Sequence, residues 1–234
     1  SEDEELEKLL EEAKKLIEES SRRLDELLEE DRRVVKRIEE EVEKLLKEVK
    51  EEIDKIKKEV RELEKIKRVL DALVDVARKI VEVTKELLRD NVRVAERIVE
   101  VIKDVNRKLV DVVDKLRKTK DKRELEEILR ELERENRRVS KEVEDLLREL
   151  RKRNEDVLRR IEKLLRELKK EVDELLKDLG KVLEIVKEII DRIRKLLKKT
   201  FDISDELLRK WEDLLRRNND LSRRLLKEAE DKAR

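Results

Sequence analysis

Histidine, cysteine, methionine, tyrosine, glutamine and proline are all absent from this chain, and glycine, phenylalanine and tryptophan occur once each. Without histidine and cysteine, no tetrahedral zinc site, no Ser-His-Asp or Cys-His nucleophile and no Glu-x-x-His di-iron pattern can be assembled. With a single glycine no loop can wrap phosphate. Two aromatics cannot make a base-stacking platform. The longest uninterrupted apolar run is Ala72-Leu73-Val74, far short of the ~20 residues that span a bilayer. The chain is therefore expected to be soluble, with no signal peptide and no transmembrane span, and its compartment is left unassigned. Neither enzymatic activity, nor a cofactor or metal, nor a small-molecule ligand is expected.

Charge is abundant and balanced. Lys+Arg number 66 and Asp+Glu number 66, so no basic surplus exists to neutralise a nucleic-acid backbone. Acids and bases alternate at helical spacing, as in residues 40–60, and that alternation describes a solvated helix face. Apolar residues make up 37% of the chain, nearly all Leu, Val, Ile and Ala. So little apolar mass predicts thin helices that share narrow seams.

The absence of proline leaves helix interiors uninterrupted, so turns must be read from capping residues and lost periodicity. Ser1 to Glu4 read as a capping box. Around Thr119 the apolar spacing lapses, and Asp121 with Glu124 forms an Asp-x-x-Glu box. At 200–204, Thr200 and Ser204 read as a second turn, with Ser204 as N-cap and an Ile203–Leu208 staple. Asp31 falls on an apolar stripe and is the candidate for a further break, although the stripe can be followed through it, which equally permits one continuous helix over 1–118. These signals predict four helices at about 2–30, 32–118, 122–199 and 204–232. The expected fold is all-α: a single elongated antiparallel helical bundle or coiled coil, with two long central helices flanked by shorter terminal ones. Gly180 lies beside the stripe, where a close helix approach or a slight hinge would explain it; a chain reversal there is disfavoured because no capping residue follows.

Several polar side chains occupy positions that the heptad spacing reserves for Leu, Ile or Val. Asn91 and Thr84 lie in the row of Ala77 and Ile98, and Asn106 lies in the row of Val99 and Val113. Asn136, Ser140 and Asn154 sit on or beside the stripe of the third segment, Ser20 on that of the first, and Asn218 and Ser222 on that of the last. Closing the chain at 119–121 brings Asn106 toward Asn136, and Thr84 and Asn91 toward Asn154; Ser20 falls at the depth of Asn218 and Ser222. A buried amide without a partner costs roughly 1–3 kcal/mol, while a paired one penalises every misaligned register. These residues are candidates for buried polar layers that specify how the helices align.

From residue 66 onward the apolar stripe widens to about four heptad positions, including Ile66, Val69, Leu73, Val76, Ile80, Val83 and Leu87. One antiparallel neighbour cannot cover so broad a strip. It is the expected interface of a homodimer or homotrimer, the alternative being that the first helix covers it within a monomer.

Taken together, the capping boxes, the balanced Glu/Lys/Arg surface, the Leu/Val/Ile seams, the isolated core Asn, Ser and Thr and the missing residue types make a pattern. The chain resembles de novo designed helical bundles of the parametric coiled-coil kind with buried hydrogen-bond networks. Its loops, Lys118 to Asp121 and Lys199 to Ser204, lack the Gly or Pro usual in that group. The resemblance implies a structural scaffold with no natural activity, made to assemble or to switch. A hinged-arm, two-state protein with hinges at Asp31 and 200–204 is the alternative expectation. A lipid-surface helical protein is a remoter one, disfavoured by zero net charge.

Overall fold

The computed structural model describes residues 2–60 and 63–233. Among them are four α-helices and no strands: α1 (Glu2–Glu59), α2 (Glu64–Lys118), α3 (Lys122–Leu175) and α4 (Gly180–Ala233). Leu, Glu, Lys and Arg dominate α1, α3 and α4, residues that lose little rotamer freedom in a helix, whereas valine is the commonest residue of α2. Their lengths are nearly equal, 58, 55, 54 and 54 residues, so there are no long central helices and no short arms. The fold is all-α, with helices packed on one another in a bundle. The capping box expected at Ser1 lies outside the described residues.

One of the three connections is where the sequence placed it. The Thr119 N–H bonds to the Lys115 carbonyl, and Asp121 stands immediately before α3. Asp121 Oδ1 accepts the Arg123 N–H at 3.1 Å, which satisfies one of the free donors of the helix start. The other two expected breaks are corrected. Asp31 lies inside α1, and Thr200 and Ser204 lie inside α4, all three buried. The helices continue there because the stripe does: Leu27, Leu28, Val35 and Ile38 are buried around Asp31, and Leu197, Phe201, Leu208 and Trp211 around Thr200 and Ser204. Thr200 Oγ1 donates to the Leu196 carbonyl at 2.9 Å, so its hydroxyl is satisfied one turn back without ending the helix.

The chain reverses instead between α1 and α2, and again at 176–179 between α3 and α4. At the second of these, the Leu179 N–H bonds to the Leu176 carbonyl at 3.0 Å before α4 begins at Gly180. No described residue there has positive φ, and a Cβ on Gly180 would meet nothing within 4 Å. The glycine therefore marks a helix start and not a close approach. A reversal made from ordinary residues in ordinary conformations needs neither Gly nor Pro, so it carries no compositional signature.

Packing divides the chain into two compact units. One comprises Ser1–Asp31, Val92–Leu150 and Leu207–Arg234; the other comprises Arg32–Asn91 and Arg151–Glu206. In the first unit, Lys14 pairs with Asp114 and Asp25 with Lys103, so α1 and α2 are antiparallel there. Arg97–Glu142 and Lys108–Glu135 give the same sense to α2 and α3, and Ser20–Asn218 with Glu30–Lys210 to α1 and α4. In the second unit, Lys57–Asp71 and Lys85–Glu43 make α1 and α2 antiparallel, and Glu41–Lys199 with Glu52–Arg192 do so for α1 and α4. Exposed pairs of this kind contribute ~0–1 kcal/mol each. The apolar seams beneath them supply most of the stability.

Candidate functional site

The strip from 66 to 87 is largely occupied within the second unit. Ile66, Val69, Leu73, Ile80 and Leu87 are buried, Leu73 completely; Val76 is half-buried and Val83 exposed. The extra width of the stripe is matched by more than one neighbour, because α1 lies antiparallel to α2 and α4 lines the same core: Val42, Val49, Ala77, Ile80, Ile193 and Leu197 line one small gap. Among the seven, Val83 is the exposed one, at 37%.

The polar positions are the chemically distinctive feature of both units. In the first, Asn106, Asn136, Asn218 and Ser222 are buried, while Ser20 and Ser140 are half-buried. Three hydrogen bonds run across the four helices. Asn106 Nδ2 on α2 donates to Ser21 Oγ on α1 at 3.0 Å. Ser20 Oγ, the next residue of α1, donates to Asn218 Oδ1 on α4 at 2.7 Å. Asn219, the next residue of α4, receives Ser140 Oγ of α3 at 2.7 Å. The serine pair and the asparagine pair each serve two neighbours, since adjacent residues on a helix face different sides. Asn106 was expected to meet Asn136; it bonds Ser21 instead, and its Oδ1 is left without a partner, as is Ser222 Oγ.

The second unit holds Thr84, Asn91, Asn154, Thr200 and Ser204, all buried. The expected pairing of Thr84 and Asn91 with Asn154 is not made: Thr84 Oγ1, Asn91 Oδ1 and both side-chain polar atoms of Asn154 lack protein partners. Thr84 and Thr200 border a gap of about 20 Å³, a volume near that of a single water. This layer is therefore the less well satisfied of the two.

Asp31 is the one ionisable side chain in the buried set, 3% exposed. The Trp211 indole N–H donates to its Oδ2 at 3.2 Å, while Oδ1 has no partner. Burial pushes the carboxyl up to about 6 from an ordinary 3.8; the Trp211 hydrogen bond pulls it down and the charge of Glu30 raises it further. Glu30 is itself paired with Lys210 at 2.8 Å. At the surface, the hydrogen bond to Glu135 holds the Lys108 ammonium above its ordinary value.

Ser21 and Asn219 were not singled out from the sequence, although the doublets Ser20-Ser21 and Asn218-Asn219 are the signal that would have found them. Asp31, Thr200 and Ser204 were read as turn formers, and their burial makes them members of the polar set instead. Amides and hydroxyls of this kind donate and accept hydrogen bonds without exchanging protons near neutrality. Among the described residues no group of three or more metal-ligating side chains is gathered, and no helix is long and apolar enough to cross a membrane.

No protein-family model and no curated protein matches the chain. Among solved structures, a computationally designed three helix bundle is similar at 19% identity, over 98% of this chain and 95% of that one, with a TM-score of 0.24.

Proposed function

We propose that this chain is a designed structural scaffold: a helical bundle without catalytic activity, whose helix register is set by buried polar layers. The observation that carries the reading is the run of three hydrogen bonds through Asn106, Ser21, Ser20, Asn218, Asn219 and Ser140, which engages all four helices at one depth of the first unit. Sliding any one helix by a turn would strand amides and hydroxyls against leucine and valine, at roughly 1–3 kcal/mol per stranded group. An all-apolar seam imposes no comparable penalty, so polar layers distinguish one alignment from its neighbours. The sequence style supports the same reading, and the missing histidine and cysteine support the lack of catalysis. Self-association through the 66–87 strip has less to recommend it once most of the strip is buried by its own chain, and a monomer is the state this packing favours.

The test replaces the layer of the first unit: Ser20, Ser21 and Ser140 by Ala, and Asn106, Asn218 and Asn219 by Leu. The variant should remain fully helical by circular dichroism while its amide spectrum splits into several sets and its mass distribution broadens. A variant with one set of resonances and an unchanged mass would show that the layer does not select the register.

A further inference from the structure

The chain folds as two hairpins, α1 with α2 and α3 with α4, joined by the short connection at 119–121, where Lys120 and Asp121 are exposed. The hydrogen bonds described at this connection stay on their own side of it. Thr119 donates back to Lys115 of α2, while Asp121 accepts from Arg123 through its side chain and from Leu125 through its carbonyl. A cut after Lys120 breaks none of them. In the first unit the hairpins hold one another through their helices. α1 meets α4 where the Trp211 N–H donates to Asp31 and Ser20 donates to Asn218. α2 meets α3 at the pairs Arg97–Glu142 and Lys108–Glu135.

Of these contacts, the Asp31–Trp211 bond discriminates between partners. Both side chains are buried, at 3% and 2% exposure. The chain has one tryptophan, so the α1–α2 hairpin carries the acceptor and the α3–α4 hairpin the donor. The Asp25–Lys103 pair fixes the antiparallel register of α1 and α2, which puts the buried Ala95, Ile98 and Val99 at the depth of Asp31. A second α1–α2 hairpin in the place of α3–α4 would set that apolar stretch against the carboxylate and strand it. By the Ser140–Asn219 bond, the buried Leu147 and Leu150 of α3 lie at the depth of Trp211. A second α3–α4 hairpin in the place of α1–α2 would therefore strand the indole N–H. The mixed pair satisfies both groups. Exposed ion pairs add little to the choice, whereas a buried polar group left without its partner weighs heavily. We propose that the inner face of the α1–α2 hairpin is a recognition surface for the α3–α4 hairpin supplied as a separate chain, with Asp31 and Trp211 selecting this mixed pair over like pairs. Which hairpins pair is a different property from the register they adopt, so the inference does not rest on the register-setting layer.

The experiment starts from the full chain, given a recognition sequence for a specific protease between Lys120 and Asp121, then folded and cut. The cut protein should keep its helicity and the mass of one chain in light scattering. It is next unfolded in guanidinium and refolded by dilution, and the pairs are counted by native mass spectrometry. Mixed pairs should exceed like pairs by about tenfold, the effect of stranding a buried carboxylate or indole N–H. Asp31→Leu with Trp211→Phe removes both polar groups and strands neither. It should bring the distribution close to random, in which mixed pairs and like pairs are equally numerous. Circular dichroism checks that this variant is helical, and the wild-type distribution is decisive by itself if it is not. A loss of register reads out separately, as several sets of amide resonances within a mixed pair that still forms in excess. Halves that separate on cutting, a random distribution from the wild type, or an undiminished preference in a helical double variant would each overturn the proposal.

Discussion

Asp31→Asn offers a direct test of the core, because the substitution keeps the side-chain shape and a carbonyl acceptor for the Trp211 N–H while removing the titrating group. In the folded chain the carboxyl is pushed from 3.8 up to about 6, with burial the largest cause. The fold thus favours the protonated form. Stability from this group is fully present below its unfolded value and is lost as pH rises through about 6. At ~1.4 kcal/mol per pKa unit the loss comes to roughly 3 kcal/mol. At 3% exposure, solvent has little access to screen it. Guanidinium unfolding followed by circular dichroism, run on wild type and Asp31→Asn between about pH 4 and pH 8, isolates the contribution. The many surface carboxylates act on both proteins alike and cancel in the difference. Relative to wild type, Asp31→Asn should gain roughly 2–3 kcal/mol across that range, as a ramp that rises between about pH 4 and pH 6 and levels off above it. Trp211 is the only tryptophan, so its emission reports the same titration in the folded state. Excitation moves indole electron density away from the pyrrole nitrogen, so a carboxylate beside that nitrogen red-shifts the emission and its protonation reverses the shift. A flat difference in stability, together with emission that does not change through pH 6, would refute the placement of Asp31 in the core.

Two further substitutions follow from the same geometry. Gly180→Ala should stabilise the chain by about 0.5 kcal/mol, because alanine restricts the unfolded chain, φ is not positive and the added methyl meets no neighbour; a loss of stability in denaturant unfolding would contradict a helix start at 180. Asn154→Leu removes an amide with neither polar atom paired and 2% exposed, and should raise stability by roughly 1–2 kcal/mol, whereas a clear loss in the same assay would mean that the amide is paired.

What the sequence made legible was the class of fold and the chemistry of its core; what it concealed was where the chain turns. The 119–121 connection was visible because apolar spacing lapses between Leu116 and Leu125 while Asp121 supplies a cap. The other two reversals keep the rhythm: Ile56, Val60, Leu63 and Ile66 continue it through one, and Val172, Leu176, Leu179 and Leu183 through the other. Periodicity reports which face is buried and says nothing of a short reversal that preserves the phase. The width of the stripe has a cause within the chain. The stripe broadens at residue 66 because α2 begins at Glu64 and joins a core shared with α1 and α4. With longer helices, that width would need either another copy of the chain or a differently placed first helix to cover it. The polar layers were legible as positions, Asn106, Asn218 and Ser20 above all, but not as bonds. Which amide reaches which hydroxyl depends on helix adjacency, and adjacency depends on the two hidden turns.

The central claim is that one chain covers its own apolar strips, and absolute mass in solution tests it most directly. Light scattering after size exclusion, over about a hundredfold range of concentration, should return the mass of one chain, 28.4 kDa, throughout. A stable two- or threefold multiple would contradict the account and return Ile66, Val69, Leu73 and Ile80 to an interface between copies.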